Sequence, residues 1–140
     1  NKKIIIGSQN CYQKDKFSSN TAAVSSFMLK SVGAKYVIVG HSDNRAEGDT
    51  DSMLKNKVKL ALRNNLKVVF CIGENKKQKK NNLTLDTLKK QLEKVLEKNF
   101  NLNNIIVAYE PIWSIGSGKI PSQNDLLQTT THIKKILKKI

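Results

Sequence analysis

The sequence predicts an α/β fold in which four parallel strands alternate with four helices, forming a single domain over residues 1–140. Three observations predict it. Four short runs rich in Ile, Val and Tyr occupy residues 3–9, 35–41, 67–74 and 104–110. They are near-continuous rather than alternating, the pattern of strands buried on both faces of a parallel sheet. Each run leads through a polar loop into a stretch of helical period, and the runs recur at roughly 30–40 residues, the size of a βα unit.

Taken in order, the first run carries Ile4, Ile5 and Ile6 and ends in Gln9-Asn10, after which Val24, Phe27, Met28 and Val32 mark a helix. The second ends in His41-Ser42 and is followed by Leu54, Val58, Ala61 and Leu62 at helical spacing. The third ends in Gly73-Glu74, and its helix is marked by Leu85, Leu88, Leu92, Val95 and Leu96. The fourth ends in Glu110-Pro111, with Leu126, Thr130, Ile133, Ile136, Leu137 and Ile140 beyond it. Asp51 and Thr84 are expected to cap helix starts, as is Ser122 after Pro121. Asn65 stands where the second helix should stop, because asparagine tolerates the left-handed backbone that ends helices.

Composition excludes several classes. At 140 residues the chain suffices for one domain with a core, and 39% apolar against 26% charged residues is ordinary for a folded protein. No apolar run approaches the about 20 residues of a membrane span, and the amino end is too short before its first glycine for a signal peptide. Cys11 and Cys71 lack CxxC spacing, so neither a disulfide framework nor a metal site is expected, and a reduced, cytoplasmic setting is. The net charge of +14 invites a nucleic-acid reading, but Arg45 and Arg63 are the only arginines and the lysines lie among asparagines rather than stacking aromatics. A lysine-rich, solvated surface is expected, with no nucleic-acid or membrane partner.

Ligands of parallel α/β folds sit at the carboxyl ends of the strands. Those ends bring an amide pair, a histidine and two carboxylates to one rim. His41 follows Gly40, which permits close backbone approach. Glu110 closes an apolar strand, where a carboxylate is costly unless it is paired or opens on a cleft, and partial desolvation suits it to act as a base. Residues 111–119 have stiff ends, small residues and an apolar middle, the composition of a lid, and the Gly116 amide suits an anion.

Ala108-Tyr109-Glu110-Pro111-Ile112-Trp113-Ser114-Ile115-Gly116-Ser117-Gly118-Lys119 resembles the base and lid segment of the triosephosphate isomerase family. Gly7-Ser8-Gln9-Asn10-Cys11-Tyr12, Tyr36-Val37-Ile38-Val39-Gly40-His41-Ser42 and Val69-Phe70-Cys71-Ile72-Gly73-Glu74 resemble other segments of it, in order and at fitting spacings. The resemblance spans essentially the whole chain and implies a partial (β/α)8 barrel, its third to sixth βα units. It implies interconversion of dihydroxyacetone phosphate and glyceraldehyde 3-phosphate, in glycolysis and gluconeogenesis, with no metal and no organic cofactor. It makes Glu110 the proton-moving base, His41 the neutral electrophile and Gly116 a phosphate-binding amide. Asn10, Ser42, Cys71 and Glu74 become supporting residues.

The family barrel has about 250 residues, so a chain of four βα units on its own is expected to be impaired, weakly active or inactive. No counterpart of its first-strand asparagine and lysine is present; Asn56-Lys57 falls inside the second predicted helix. The family's dimer loop is matched by Ser18-Ser19-Asn20-Thr21-Ala22-Ala23, which keeps the threonine and loses both glycines, the aromatic and the acid. His41-Ser42-Asp43-Asn44-Arg45 departs from the family's His-Ser-Glu-Arg-Arg in the charges near the histidine, and the loop after it is short. The strands at Ile4 and Ile105 are expected to be apolar edges. Self-association, complementing chains, or a non-catalytic fragment, remnant or interaction module are the alternatives.

Overall fold

The computed structural model describes residues 4–15 and 19–140. Four parallel strands, β1 (Gly7–Ser8), β2 (Tyr36–Val39), β3 (Lys67–Ile72) and β4 (Ile105–Tyr109), form one sheet in sequence order. The register sets Gly7 beside Tyr36, Tyr36 beside Lys67, and Val68 beside Ile105. Every neighbouring pair is joined by a crossover that contains helix, the connection parallel strands require.

The expected four helices are α1 (Ser26–Ser31), α3 (Asp51–Arg63), α5 (Thr84–Val95) and α6 (Gln123–Leu137). Two short helices, α2 (Ser42–Ala46) and α4 (Lys76–Lys80), stand where only loops were expected. Neither buries a residue, so no apolar period announces them. Asn75 and Gln78 instead start α4 with reciprocal capping bonds. Ser122 caps α6 as expected, and Asn65 is left-handed (φ 56°) just past α3. The other two caps move by one residue. Thr50, whose hydroxyl accepts from the Met53 amide, caps α3, and Leu83 precedes α5 with no side-chain bond.

The core lies between the sheet and the helices. Val37 and Val39, Val68, Phe70 and Ile72, and Val107 and Tyr109 alternate toward the helix layer, where Leu54, Val58, Ala61, Leu88, Leu92 and Val95 meet them. A fully buried aliphatic or aromatic side chain of this kind contributes about 1.5–3 kcal/mol. The stripe on α6 is rotated from the expected one: Thr129, Ile133 and Ile136 are buried, while Leu126 is exposed. The expectation of strands buried on both faces needs the same correction. Among the described residues the helices cover one face, and Ile106, of opposite parity on β4, is 51% exposed.

β1 is shorter than its apolar run. Ile4, Ile5 and Ile6 are 90%, 62% and 68% exposed, with only the Ile6 carbonyl tied to the next strand's lead-in through the Lys35 amide. Lys3, at the start of that run, lies outside the described residues, as does Ser18 of the loop that replaces the family's dimer loop. In that loop Ala22 adopts φ 64°, a conformation that an L side chain resists. Ala22→Gly should raise stability by about 1 kcal/mol, read as a higher urea midpoint at unchanged slope.

Candidate active site

Two backbone requirements place the site. Gly40, at φ 80°, turns the chain sharply after β2; a Cβ there would meet Phe70, Arg45 and the Cys71 carbonyl at 3.0–3.1 Å. The turn makes His41 the residue that caps α2, with Nδ1 accepting from the Asp43 amide at 3.3 Å. Gly73 follows β3 beside Glu110, and a Cβ on it would lie 1.8 Å from the Glu110 carbonyl oxygen. Glycine is therefore what lets the strand ends carrying Glu74 and Glu110 run side by side.

His41 and Glu110 meet. His41 Nε2 is 2.9 Å from Glu110 Oε2, and the Ser42 amide donates to Glu110 Oε1 at 2.9 Å. With Nδ1 accepting from the Asp43 amide, Nε2 is the ring nitrogen left to donate to the carboxylate. Glu110 is 18% exposed at its side chain and His41 38%, so the pair opens to solvent on one side. A cavity of about 380 Å³ beside it is lined by Gln9, Asn10, Ile38, His41, Asp43 and Asn44.

The expected supporting residues divide into two groups. Cys71 and Ser42 lie at the pair itself. Burial pushes the Cys71 thiol up from 9.0 to about 11, with the Glu110 charge as the next cause. The Ser42 hydroxyl is buried and has no hydrogen-bond partner among the described residues. Asn10 instead turns to α3, its Oδ1 accepting from the Cys11 amide at 2.8 Å and from Lys57 at 3.0 Å. Glu74 is fully buried on the helix side of the sheet, taking hydrogen bonds from the Tyr109 hydroxyl (3.1 Å to each oxygen) and the Trp113 indole (2.7 Å). Burial, and then the Glu74 charge, push the Tyr109 hydroxyl well above its ordinary range.

Gly116 lies apart, on the exposed segment. Residues 112–117 form successive turns, closed by the Ser114 amide on the Pro111 carbonyl (2.9 Å) and the Ser117 amide on the Ser114 carbonyl (3.2 Å). The Ser114 hydroxyl donates to the Lys119 carbonyl, joining the two flanks. Gly116 and Gly118 are left-handed (φ 64° and 68°), with open space around both. The Ile112 amide donates to the Glu74 carbonyl at 3.0 Å, so the segment is fastened at its beginning.

Three residues whose contacts the sequence did not announce hold this arrangement. Arg45 donates to the Gly40 carbonyl (2.8 Å) and the Cys71 carbonyl (3.4 Å), tying the His41 turn to β3. Gln91 on α5 both donates to and accepts from the Gly73 backbone, at 3.0 and 2.9 Å. Lys57 is 4% exposed and bound to Asp49 at 2.6 Å, inside α3 as expected of Asn56-Lys57. Only Gln91 left a trace: a polar residue between Leu88 and Leu92, the buried stripe of its helix.

Cys11 and Cys71 are free, buried thiols. Burial, outweighing the charge of Lys57, pushes Cys11 from 9.0 to about 11, matching Cys71. The fold thus favours both protonated thiols. That stabilisation is complete below pH 9 and is lost as pH rises through about 11, because only the unfolded chain ionises freely in between. Urea midpoints should fall between pH 9 and 11, and less steeply in Cys71→Ala.

A parallel sheet in sequence order with helices on one face is the architecture of part of a β/α barrel, and a carboxylate and an imidazole meet at its carboxyl rim. A family profile described as triosephosphate isomerase matches residues 1–140. The triosephosphate isomerase of Bartonella henselae is 38% identical over 131 residues, covering 93% of this chain and 51% of that protein. That of Bacteroides fragilis is 44% identical over 122 residues (86% and 48%), and that of Saccharomyces cerevisiae 38% over 135 (96% and 54%). A crystal structure of the Bartonella henselae enzyme superposes with a TM-score of 0.83 at 37% identity, covering 93% of this chain and 52% of that one. The chain belongs to the triosephosphate isomerase family. It spans about half the length of these relatives. Among the described residues no helix is long and apolar enough to cross a membrane.

Proposed function

We propose that this chain carries the proton-transfer half of a triosephosphate isomerase site. Its substrates in this reading are dihydroxyacetone phosphate and glyceraldehyde 3-phosphate, as its family membership implies. The observation that carries the proposal is the His41–Glu110 pair at 2.9 Å.

Glu110 takes a proton from C1 of the ketose and returns it to C2 of the enediol, while His41 Nε2 gives its proton to O2 and recovers one from O1, so that the hydroxyl proton passes from O1 to O2 and no proton is lost or gained overall. The Nε2–H of neutral His41 polarises the carbonyl oxygen as charge develops on it, a role that needs a donor and no cation. A contact of 2.9 Å leaves no room for substrate between the two groups. Binding must therefore separate them, turning Nε2–H from Glu110 to the substrate oxygen and freeing the carboxylate to act as a base. Residues 111–119 close over the site, with the Gly116 amide on the phosphate, and exclude water from the enediol.

In this reading the cation that neutralises substrate charge is supplied by polypeptide outside these 140 residues. Lys57 is not a substitute, because its ammonium is buried against Asp49. The test is isomerisation by the purified chain, alone and mixed with the remaining βα units of a related enzyme, always beside Glu110→Gln from a matched preparation. Activity that depends on Glu110 supports the reading; equal rates for both chains in both settings overturn it.

A further inference from the structure

Lys79 touches Trp113 within the 111–119 segment and Asp125 on the helix that follows it. We propose that Lys79 is a positioning residue for the lid: it clamps the face of Trp113, at the lid's beginning, to Asp125, just beyond its end. The inference rests on the reading of 111–119 as a lid.

The geometry comes from α4 and α6. Lys79 Nζ lies 5.7 Å from the centroid of the Trp113 ring, within the range of a cation–π contact, and 2.8 Å from Asp125 Oδ1. Asp125 is in the first turn of α6, where the Ser122 hydroxyl donates to its other oxygen at 2.8 Å and accepts from its amide at 3.1 Å. The indole N–H is meanwhile held by Glu74. Trp113 is thus fixed at its edge by a buried carboxylate and over its face by an ammonium. That ammonium is anchored to the helix that receives the chain after the lid.

The neighbouring lysines show that this is not a property of the whole helix. Lys76, Lys77 and Lys80 are exposed, whereas Lys79 is partly covered. The Lys79 hydrogen bond, and then Ser122, hold the Asp125 carboxyl below its ordinary 3.8, so the anchor is charged at neutral pH. For the lid to travel, either the ring slides out from under the ammonium or Lys79 moves with it. The clamp therefore biases the ratio of the two lid positions, by about two- to fivefold for a contact of this exposure.

Trp113 is the chain's one tryptophan, so its fluorescence reports on the clamp with no need for catalysis. Acrylamide quenching would be compared for the chain and for Lys79→Met, Lys79→Arg and Asp125→Asn, each checked for fold by circular dichroism. Lys79→Met should raise the quenching constant about twofold, the low end of the bias lost with the cation. Lys79→Arg should match the parent, because a guanidinium stacks on the ring and pairs with a carboxylate. Asp125→Asn should fall between them.

Equal quenching in all four chains overturns the clamp, as does an equal rise in the Met and Arg variants, which would show packing rather than charge. Where Lys79→Met fails to fold, Asp125→Asn decides, and parent-like quenching there overturns the proposal. Dihydroxyacetone phosphate added to the parent mixed with the remaining βα units of a related enzyme, made free of tryptophan, separates the two readings. An unmoved Trp113 emission with the expected variant order removes the lid reading and leaves the tether standing. A ligand-sensitive emission with equal quenching throughout keeps the lid and removes the clamp.

Discussion

Glu110→Gln is expected to lower triose phosphate isomerisation by about 10²–10⁴-fold, the usual contribution of a general base. Glutamine keeps the size of the side chain and removes its capacity to take a proton. It also spoils the resting arrangement. Both groups facing the carboxylate are donors, the Ser42 amide and His41 Nε2–H. An amide offers one acceptor and one donor, so in either orientation it sets an N–H against an N–H. The mismatch should cost about 1 kcal/mol, softened because both side chains of the pair reach solvent. A rate deficit of orders of magnitude with a small loss of stability would therefore separate chemistry from folding. The assay needs a matched preparation, because triosephosphate isomerase is itself a standard example of an enzyme at the diffusion limit of about 10⁸–10⁹ M⁻¹s⁻¹, and a trace of host enzyme would mimic activity. Identical rates in the parent and Glu110→Gln would sink the assignment of Glu110.

Lys57→Met should produce the largest loss of stability, about 3–5 kcal/mol, from breaking a buried ion pair on one side only. Lys57 and Asp49 are 5% and 8% exposed at their side chains and lie 2.6 Å apart, with Asn10 Oδ1 as a further acceptor at 3.0 Å. Methionine fills the volume of the lysine stem and leaves the Asp49 carboxylate buried without its cation. Against a typical domain stability of about 5–15 kcal/mol this is a large share. The double variant Lys57→Met/Asp49→Leu should recover most of the loss, because removing both charges also removes the cost of burying them. Urea unfolding of the four chains measures the coupling. A loss below about 1 kcal/mol in the single variant would mean that water reaches Asp49 and that the pair behaves as a surface one. Asn10, which lines the cavity beside His41, would also lose one of the two donors to its Oδ1.

The strands were legible because a run such as Val68 to Ile72 has no reading other than burial, and the long helices because Leu88, Leu92 and Val95 recur on one face. The rim was legible for the same reason: once strands are placed in parallel, His41 and Glu110 fall at the same end of the sheet. The contact between them was not, since they follow β2 and β4, with β3 between. Their meeting depends on the left-handed turn at Gly40 and on the close approach that Gly73 permits. Lys57 read only as a residue inside the second helix, because nothing local distinguishes a lysine whose carboxylate arrives from the preceding loop. Glu74 read as a rim carboxylate and is a buried anchor for Trp113, its direction set by the parity of β3 and by Tyr109 from the next strand.

Short-range sequence therefore determines what each segment is: which residues extend, which coil, where Ser122 and Asn65 begin and end helices. These depend on side-chain period and on backbone preferences that act over a few residues. Tertiary packing alone decides the partners. It cuts β1 to two residues, since Ile4 to Ile6 find no cover among the described residues. It turns the Thr129 face of α6 inward, buries Lys57 against Asp49, and lays Lys79 across Trp113. The physical reason is that a hydrogen bond or ion pair is set by distances between elements. Such distances exist only once the sheet has brought together residues far apart in the chain.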